Sequence, residues 1–173
     1  VKDMGFSGVN NFPTHSIVDG KFRQILEETG MSVQKEVEMV GLARKMDMFS
    51  IVYVGSTEEA KGMAEVGADA IIAHVGTTIG GSIGVVDATM TISEAADRTQ
   101  DIIDAAKTIR DDIFFLSHGG PISTPKDAAY INENTEAVGF VGASSLERMA
   151  VEESLTGLTK EFKSIPCPAG KKT

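Results

Sequence analysis

Two histidines in this sequence of 173 residues occupy equivalent places, each at the end of an apolar run and followed within two residues by glycine. His74 lies in the run 70–75, and His118 closely follows the run 113–116. Imidazole titrates near neutral pH, so it can act as a general acid, a general base or a metal ligand. A histidine at a strand end can also simply bond a neighbouring loop, but two in the same setting favour function. We therefore predict that His74 and His118 are catalytic. Neither His-x-His nor His-Glu-x-x-His spacing is present, so no metal ligand is assigned.

Two loops of small residues follow the last two strand-like runs, Gly119-Gly120 and Gly142-Ala143-Ser144-Ser145. Small residues let backbone N–H groups close on an oxyanion, and serine hydroxyls add donors. In many barrels a phosphate rests between the last two such loops. The alternative is that the glycines only form turns and a serine only caps the next helix. Together the two loops favour an anion site built from Gly119, Gly120, Gly142, Ser144 and Ser145.

Three further places could contribute to a site. Asn11 ends the first strand-like run, and Glu28, in the helix that follows, could reach the same edge as a general acid or base. The glycine-rich stretch 76–84 matches neither a Walker loop nor a dinucleotide fingerprint, so it is a lid or a passive connection. His15 opens a loop, and Glu36 fits an exposed helix surface.

The elements that position these residues alternate regularly between strand and helix. Apolar runs predict five strands. The first lies within 5–14 and ends at the Asn10-Asn11 pair before Pro13, and the others are at 49–54, 70–75, 113–116 and 137–141. Helical spacing predicts helices at 21–28, 33–46 (after Ser32 as N-cap), 58–66, 94–110, 126–134 and 146–163. Thr124 and Pro125 have the residue types of a helix N-cap and first helical position. Short apolar strands that alternate with helices indicate an α/β fold with a parallel sheet. Part of a (β/α)8 TIM barrel and a doubly wound open parallel sheet both satisfy this pattern.

Composition excludes several classes of protein. The net charge is −9 and the only basic cluster is Lys171-Lys172, so we expect no nucleic-acid contact from this segment. No apolar run is long enough to cross a bilayer, and no signal peptide is present, so we expect no membrane association. The single cysteine, Cys167, excludes an intrachain disulfide and fits a reducing, cytoplasmic location.

The length bears on the barrel interpretation. A complete barrel needs at least about 200 residues, so we expect this chain to hold strands four to eight, with three units preceding Val1. Residues 1–165 would form one partial barrel domain and residues 166–173 a flexible tail. An open arc leaves unpaired strand edges, so we expect a homo-oligomer or aggregation when the chain is alone.

Several longer segments of the sequence are characteristic of one family. They are Asn-Phe-Pro-Thr (11–14), Asp-Gly-Lys-Phe-Arg-Gln-Ile-Leu-Glu-Glu-Thr-Gly-Met (19–31), Glu-Val-Glu-Met (36–39), Ala-His-Val-Gly-Thr-Thr-Ile-Gly-Gly-Ser-Ile-Gly (73–84), Ser-His-Gly-Gly-Pro-Ile (117–122) and Gly-Phe-Val-Gly-Ala-Ser-Ser-Leu-Glu-Arg (139–148). The chain resembles the phosphoenolpyruvate hydrolase-like family, also described as TIM-barrel signal transduction proteins. The resemblance covers nearly the whole chain before residue 165.

The resemblance implies a TIM barrel related to the phosphoenolpyruvate mutase and isocitrate lyase group. It implies an enzyme that acts on a small phosphorylated or carboxylated metabolite by enol-phosphate or ester hydrolysis, or by C–C or C–P lyase chemistry. A non-catalytic sensory barrel is the alternative, and a purely structural module is a third. The cofactor is unknown, and Mg²⁺ would need ligands from the part before Val1. The candidate site residues that lie within the family's characteristic segments are Asn11, Glu28, His74, Gly80, Gly81, His118, Gly119, Gly120, Ser144 and Ser145.

Overall fold

The computed structural model describes residues 1–86 and 90–166. The strands are β1 (Gly8–Asn10), β2 (Phe49–Val54), β3 (Ala70–His74) and β4 (Phe114–His118). The helices are α1 (Gly20–Glu28), α2 (Val33–Lys45), α3 (Thr57–Glu65), α4 (Ile92–Lys107), α5 (Pro125–Asn134) and α6 (Ala150–Lys163). Short 3-10 segments span Lys2–Met4 and His15–Ile17, and a π-helix spans Ser144–Met149. Cys167 and the rest of the predicted tail beyond Pro166 lie outside the described residues.

Polar residues fix where several helices begin. The side chain of Ser32 accepts from Lys35 N and caps α2. Thr124 caps α5 with Pro125 in the first turn, as the sequence predicted. Thr91 caps α4 through a reciprocal pair with Glu94, in which each side chain bonds the other residue's backbone N–H. Such caps satisfy N–H groups that the first helical turn leaves without partners.

The four strands form one parallel sheet with the order β1-β2-β3-β4. A doubly wound sheet reverses its strand order at a switch point, whereas strands of a barrel follow one another around it. The sequential order among the described strands therefore identifies the fold as an α/β arc of a TIM barrel. The doubly wound alternative does not fit.

The predicted fifth strand at 137–141 is wrong as a regular strand. Phe140 forms a single parallel bridge with Ser117, and Val141 N donates to Ser117 O at 2.9 Å. The segment thus lies beside β4 where the next barrel strand belongs. Gly139 lies within this short ladder, where its O accepts from Ser117 N at 3.0 Å, and Gly142 follows it. Glycine weakens a strand because it has no side chain to pack. The first strand ends at Asn10, at the asparagine pair as the sequence predicted, but it begins at Gly8 and is therefore short.

The two faces of the sheet differ in what covers them. One face packs against the helices, through buried residues that include Val52, Ile71 and Phe115. On the other face Ile51, Ala70 and Phe114 are neighbours in register, and Phe114 is 62% exposed. The apolar core of the described chain therefore lies between sheet and helices. None of the described helices is long and apolar enough to span a bilayer.

Candidate functional site

The two predicted catalytic histidines lie side by side at the C-terminal edge of the sheet. His74 ends β3, His118 ends β4, and the two are direct partners in the register. Partners in a parallel pair project to the same face, and the ring centroids are 5.1 Å apart. Both side chains are buried. The structure thus brings together two residues that are 44 positions apart in the sequence.

A backbone carbonyl fixes the tautomer of His118. Its Nδ1 lies 2.7 Å from Val141 O. A carbonyl oxygen only accepts hydrogen bonds, so in the neutral ring the proton is on Nδ1. Nε2 then carries the free lone pair, as a general base requires.

His74 has the opposite arrangement. Its Nδ1 accepts a hydrogen bond from Gly76 N at 3.2 Å. In the neutral ring the proton is therefore on Nε2, which can only donate. Neighbouring rings thus offer one accepting and one donating Nε2.

Burial keeps both rings neutral. It lowers the pKa of His74 to about 4, with the neighbouring His118 as the second cause. Burial also lowers the pKa of His118, although the bond to Val141 acts in the opposite direction. Both imidazoles are uncharged at pH 7, so each retains the tautomer that its backbone partner sets.

Tyr53 of β2 completes an aromatic group with these two rings, which we call the histidine cluster (Tyr53, His74 and His118). Its ring centroid is 5.2 Å from that of His118 and 5.9 Å from that of His74. Burial raises the pKa of the Tyr53 hydroxyl, and the charge of Glu147 acts in the same direction. The hydroxyl is therefore a neutral donor. Sequence reasoning missed Tyr53 because it treated 49–54 as uniformly apolar; the alternation of side chains along a strand was the available signal.

A small polar cavity adjoins His74 on the side of α4. It has a volume of about 210 Å³, and its lining includes Ser16, Thr77 and Arg98. Arg98 is exposed on α4 and donates from Nη2 to Gly55 O at 2.7 Å. Its positive charge also contributes to the low pKa of His74. Sequence reasoning did not select Arg98, because nothing along the chain ties a helical arginine to a strand end.

The glycine loop after β4 packs closely against the residues that follow β3. Gly119 and Gly120 both have positive φ, and a Cβ on Gly119 would collide with Gly76 O. Gly120 N donates to Gly76 O at 2.7 Å, so this N–H is already used. The loop therefore locks β3 to β4. Its predicted role in anion binding stays a prediction.

The loop at 142–145 begins next to His118, since Val141 O is the partner of that ring. Ser144 starts the π-helix, and the Ser145 hydroxyl is buried without a hydrogen-bond partner among the described residues. Ser145 also lines an apolar cavity against α5. Substrate binding by Gly142, Ser144 and Ser145 is likewise untested by this geometry.

The glycines of the 76–84 stretch contact the last helical segment. Arg148 Nη2 donates to Gly80 O at 3.0 Å, and Glu152 accepts from Ser82 N at 2.7 Å. A Cβ on Gly81 would collide with the guanidinium of Arg148. A paired arginine and glutamate thus join the stretch to the last helical segment, and Gly76 at its start is bonded to His74 of the histidine cluster.

Asn11 has a defined structural role. Tyr53 N donates to its side-chain oxygen at 2.7 Å, and its Nδ2 donates to Tyr53 O at 3.0 Å. The side chain thereby continues the β1–β2 ladder for one more step. Glu36 accepts from Asn11, Thr14 and the backbone of His15, so the exposed surface predicted for Glu36 is wrong.

Glu28 is not part of the histidine cluster. It is exposed at the end of α1, and its carboxylate accepts from Gln24. The described residues also contain no group of three His, Cys, Asp or Glu that could hold a metal ion. The donors present do not fit Mg²⁺, which prefers carboxylate oxygens. The expectation of Mg²⁺ from elsewhere stays a prediction.

Comparison with solved structures gives distant matches. A 2,3-dimethylmalate lyase of the PEP mutase/isocitrate lyase superfamily is 9% identical, with a TM-score of 0.45 over 99% of this chain and 81% of that one. The N-acetylmannosamine-6-phosphate 2-epimerase from Clostridium perfringens is 13% identical, with a TM-score of 0.46 over 75% of this chain and 48% of that one. Neither match supports an argument about activity.

Sequence relatives are closer. The "ToMV susceptible protein tm-1(GCR26)" of Solanum lycopersicum is 47% identical over 95% of this chain and 22% of its own length. A protein of Sinorhizobium fredii whose name describes a transcriptional regulatory protein is 32% identical over 95% of this chain and 27% of its own length. The chain therefore spans about a quarter of the length of these relatives.

One family covers almost all of the described chain. The family described as phosphoenolpyruvate hydrolase-like matches residues 1–165, which include the histidine cluster and every loop at the sheet edge. The chain belongs to the phosphoenolpyruvate hydrolase-like family.

Proposed function

We propose that the C-terminal edge of the sheet is the active site of an enzyme that acts on a small phosphorylated or carboxylated compound. The observation that carries the proposal is the pair of neutral histidines with opposite tautomers. His118 Nε2 is free to accept a proton, and His74 Nε2 is free to donate one. Acid–base chemistry needs both roles at one place.

The polar cavity beside His74 supports an anionic substrate. Arg98 lies in its lining, and a guanidinium binds carboxylate or phosphate by two parallel hydrogen bonds. Its volume of about 210 Å³ is below the range of about 300–1,000 Å³ for drug-sized ligands. A metabolite of a few carbon atoms fits this volume.

Hydrolysis of phosphoenolpyruvate illustrates how the residues would act. His118 Nε2 takes a proton from water as the water oxygen bonds to phosphorus and the bond from phosphorus to the enol oxygen breaks. His74 Nε2–H and the Tyr53 hydroxyl donate hydrogen bonds to the enol oxygen as it gains charge. The enolate then takes a proton from solvent at its methylene carbon and leaves as pyruvate, inorganic phosphate leaves as the other product, and His118 returns its proton to solvent.

The test is an assay of phosphate and pyruvate release from phosphoenolpyruvate, with and without Mg²⁺, using the whole polypeptide that contains these residues. General acid–base catalysis contributes about 10²–10⁴-fold, so His118→Gln should lose activity in that range. Glu133→Gln, an exposed change on α5, should behave as the parent. Absence of turnover for phosphoenolpyruvate and for a panel of small phosphate esters and carboxylates would contradict an enzyme.

A ligand-sensing barrel is the second candidate. It is favoured by the regulatory description of the Sinorhizobium fredii relative, which matches this chain over the same sheet edge. A ligand that raises the melting temperature and is recovered chemically unchanged would support sensing over catalysis.

A further inference from the structure

The turn between β2 and α3 lies against the polar cavity beside His74. Gly55, the first residue of this turn, lines the cavity together with Arg98. The carbonyl oxygen of Gly55 accepts from Arg98 Nη2 at 2.7 Å. An arginine side chain has many rotamers, and fixing it in one of them opposes ligand binding. The turn that already holds the guanidinium therefore affects how tightly the cavity binds an anion.

A carboxylate on α3 fixes this turn. Glu59 Oε2 accepts from Gly55 N at 2.7 Å, and the Glu59 side chain is only 10% exposed. Its other carboxylate oxygen lies 3.6 Å from Nη2 of Arg23 on α1. Gly55 is thus bonded at both its N–H, by Glu59, and its carbonyl, by Arg98. A change in the reach of the Glu59 side chain would be transmitted to the guanidinium through this one residue.

The start of α3 differs from that of α5, where a carboxylate also bonds the residue before the cap. Asp127 accepts from Ser123 N at 3.3 Å, and among the described residues no arginine donates to that turn. At α3 Ser56 caps the helix through Glu59 N, and the bond from the residue before the cap is shorter, 2.7 Å. Both carboxylates stabilise a helix start. Of the two, Glu59 alone is joined through its turn to an arginine of the cavity.

Arg98 keeps donors available for a ligand. A guanidinium has five N–H groups, and in the described part of the chain Arg98 bonds Gly55 O alone. The other four arginines each pair with a carboxylate. An open edge of a guanidinium binds carboxylate or phosphate by two parallel hydrogen bonds. The bond to Gly55 fixes the direction in which that edge faces.

We propose that Glu59 is a positioning residue of this cavity: it fixes the Gly55 turn, whose carbonyl orients Arg98 to bind the carboxylate or phosphate group of the substrate. Glu59 is not in the cavity lining and acts through Gly55. The inference rests on the proposed function, because it concerns the same cavity.

The test is the affinity of the whole polypeptide for inorganic phosphate and for acetate, measured by isothermal titration calorimetry. Glu59→Asp keeps the charge but is one methylene shorter, so it should lose the bond to Gly55 N. Binding must then order Arg98 and should weaken by about 3–10-fold for both anions, the effect of fixing one long side chain. Glu59→Gln keeps the reach and an accepting oxygen, so the affinity should stay within about 2-fold of the parent.

A double variant shows whether Glu59 acts through Arg98. Arg98→Lys keeps a positive charge without the planar fork, and should weaken both anions by about 5–10-fold, the value of one of the two parallel hydrogen bonds. In that background Glu59→Asp should change the affinity by less than about 2-fold, because the fork that it positions is absent. Asp127→Ala, the matched loss on α5, should leave the anion affinity of the parent unchanged.

Four results would overturn the proposal. They are no binding of either anion to the parent, equal losses in Glu59→Asp and Asp127→Ala, a Glu59→Gln variant as weak as Glu59→Asp, and the same loss from Glu59→Asp in both Arg98 backgrounds. Failure of the proposed enzyme is seen separately, because these affinities are measured at equilibrium. A protein that shows the expected pattern of affinities and turns over no substrate would refute the enzyme and retain the positioning role of Glu59.

Discussion

The ends of β3 and β4 differ from the end of β1 in how they hold a buried histidine. At β3 and β4 the rings of His74 and His118 are bonded to backbone groups, and their tautomers are fixed. After β1 the backbone of His15 is bonded to Glu36, and the ring is left without a partner. Burial is similar in all three. The comparison teaches that the hydrogen-bond partner, and not burial, decides whether a buried imidazole has a fixed tautomer.

The largest expected effect is the pH dependence contributed by His74. Its pKa is about 4 in the folded chain against an ordinary value of 6.5. Between these values the unfolded chain binds a proton that the folded chain does not, so stability falls as the pH is lowered from 6.5 to about 4. At about 1.4 kcal/mol per pKa unit, the loss is on the order of 3 kcal/mol.

Urea denaturation at several pH values measures this effect. His74→Gln should reduce the slope of the unfolding free energy against pH between pH 6.5 and 4. The carboxylates titrate in both proteins, so their contribution cancels when the two curves are subtracted. Identical slopes for parent and variant would show that the ring is solvated in solution.

The next effect concerns the anchor after β1. Glu36→Ala removes the acceptor of three hydrogen bonds, from Asn11, Thr14 and His15. Bonds to a charged group contribute about 1.5–3 kcal/mol each in a net sense, and neighbours are not additive, so the free energy of unfolding should fall by about 3 kcal/mol.

Glu38 is the matched control on the same helix. It is exposed, and Lys35 is its one ion-pair partner in the described part of the chain, so Glu38→Ala should change the unfolding free energy by less than about 1 kcal/mol. Equal effects for the two variants would mean that the loop after β1 does not depend on Glu36.

A pair of glycines tests how tightly the ends of β3 and β4 are joined. Gly119 and Gly5 have nearly the same φ, 84° and 86°. A Cβ on Gly5 meets nothing within 4 Å, whereas one on Gly119 would strike Gly76 O. Both alanine variants carry the backbone strain of about 1–2 kcal/mol, and only Gly119→Ala adds the collision. Thermal unfolding should therefore show a lower melting temperature for Gly119→Ala than for Gly5→Ala.

The smallest effect is expected from the tyrosine of the histidine cluster. Tyr53→Phe keeps the ring packing and removes one donor, so activity should fall about 10-fold, the equivalent of one hydrogen bond of about 1.4 kcal/mol. The unfolding midpoint should stay close to that of the parent. Full activity in the variant would remove the hydroxyl from the proposed mechanism.

The sequence predicted much of the fold because its signals were local. The apolar run before Ser117, the Thr124-Pro125 start of α5 and the Ser32 cap all depend on neighbours within a few residues. The predicted fifth strand pairs with β4 through a few backbone bonds, but Gly139 and Gly142 contribute no side chains to pack, and the segment does not form a regular strand.

The candidate site was only partly predictable for the same reason. His74 and His118 share a repeated local pattern, and that pattern led to their selection as candidate catalytic residues. Arg98 and Tyr53 carry no such pattern, since their place depends on α4 crossing a strand end and on which face of β2 a side chain takes. Glu36 was misassigned because its partners lie more than 20 positions away.

The backbone bonds to His74 and His118 have a further consequence. In many enzymes a carboxylate side chain holds the catalytic imidazole, so one substitution can reverse which nitrogen carries the proton. In this chain a main-chain carbonyl sets the tautomer of His118 and a main-chain amide sets that of His74. Every residue type except proline supplies both of these backbone groups. Side chains around the pair can therefore change, and with them the shape and charge of the surroundings, while His118 keeps an accepting Nε2 and His74 a donating one.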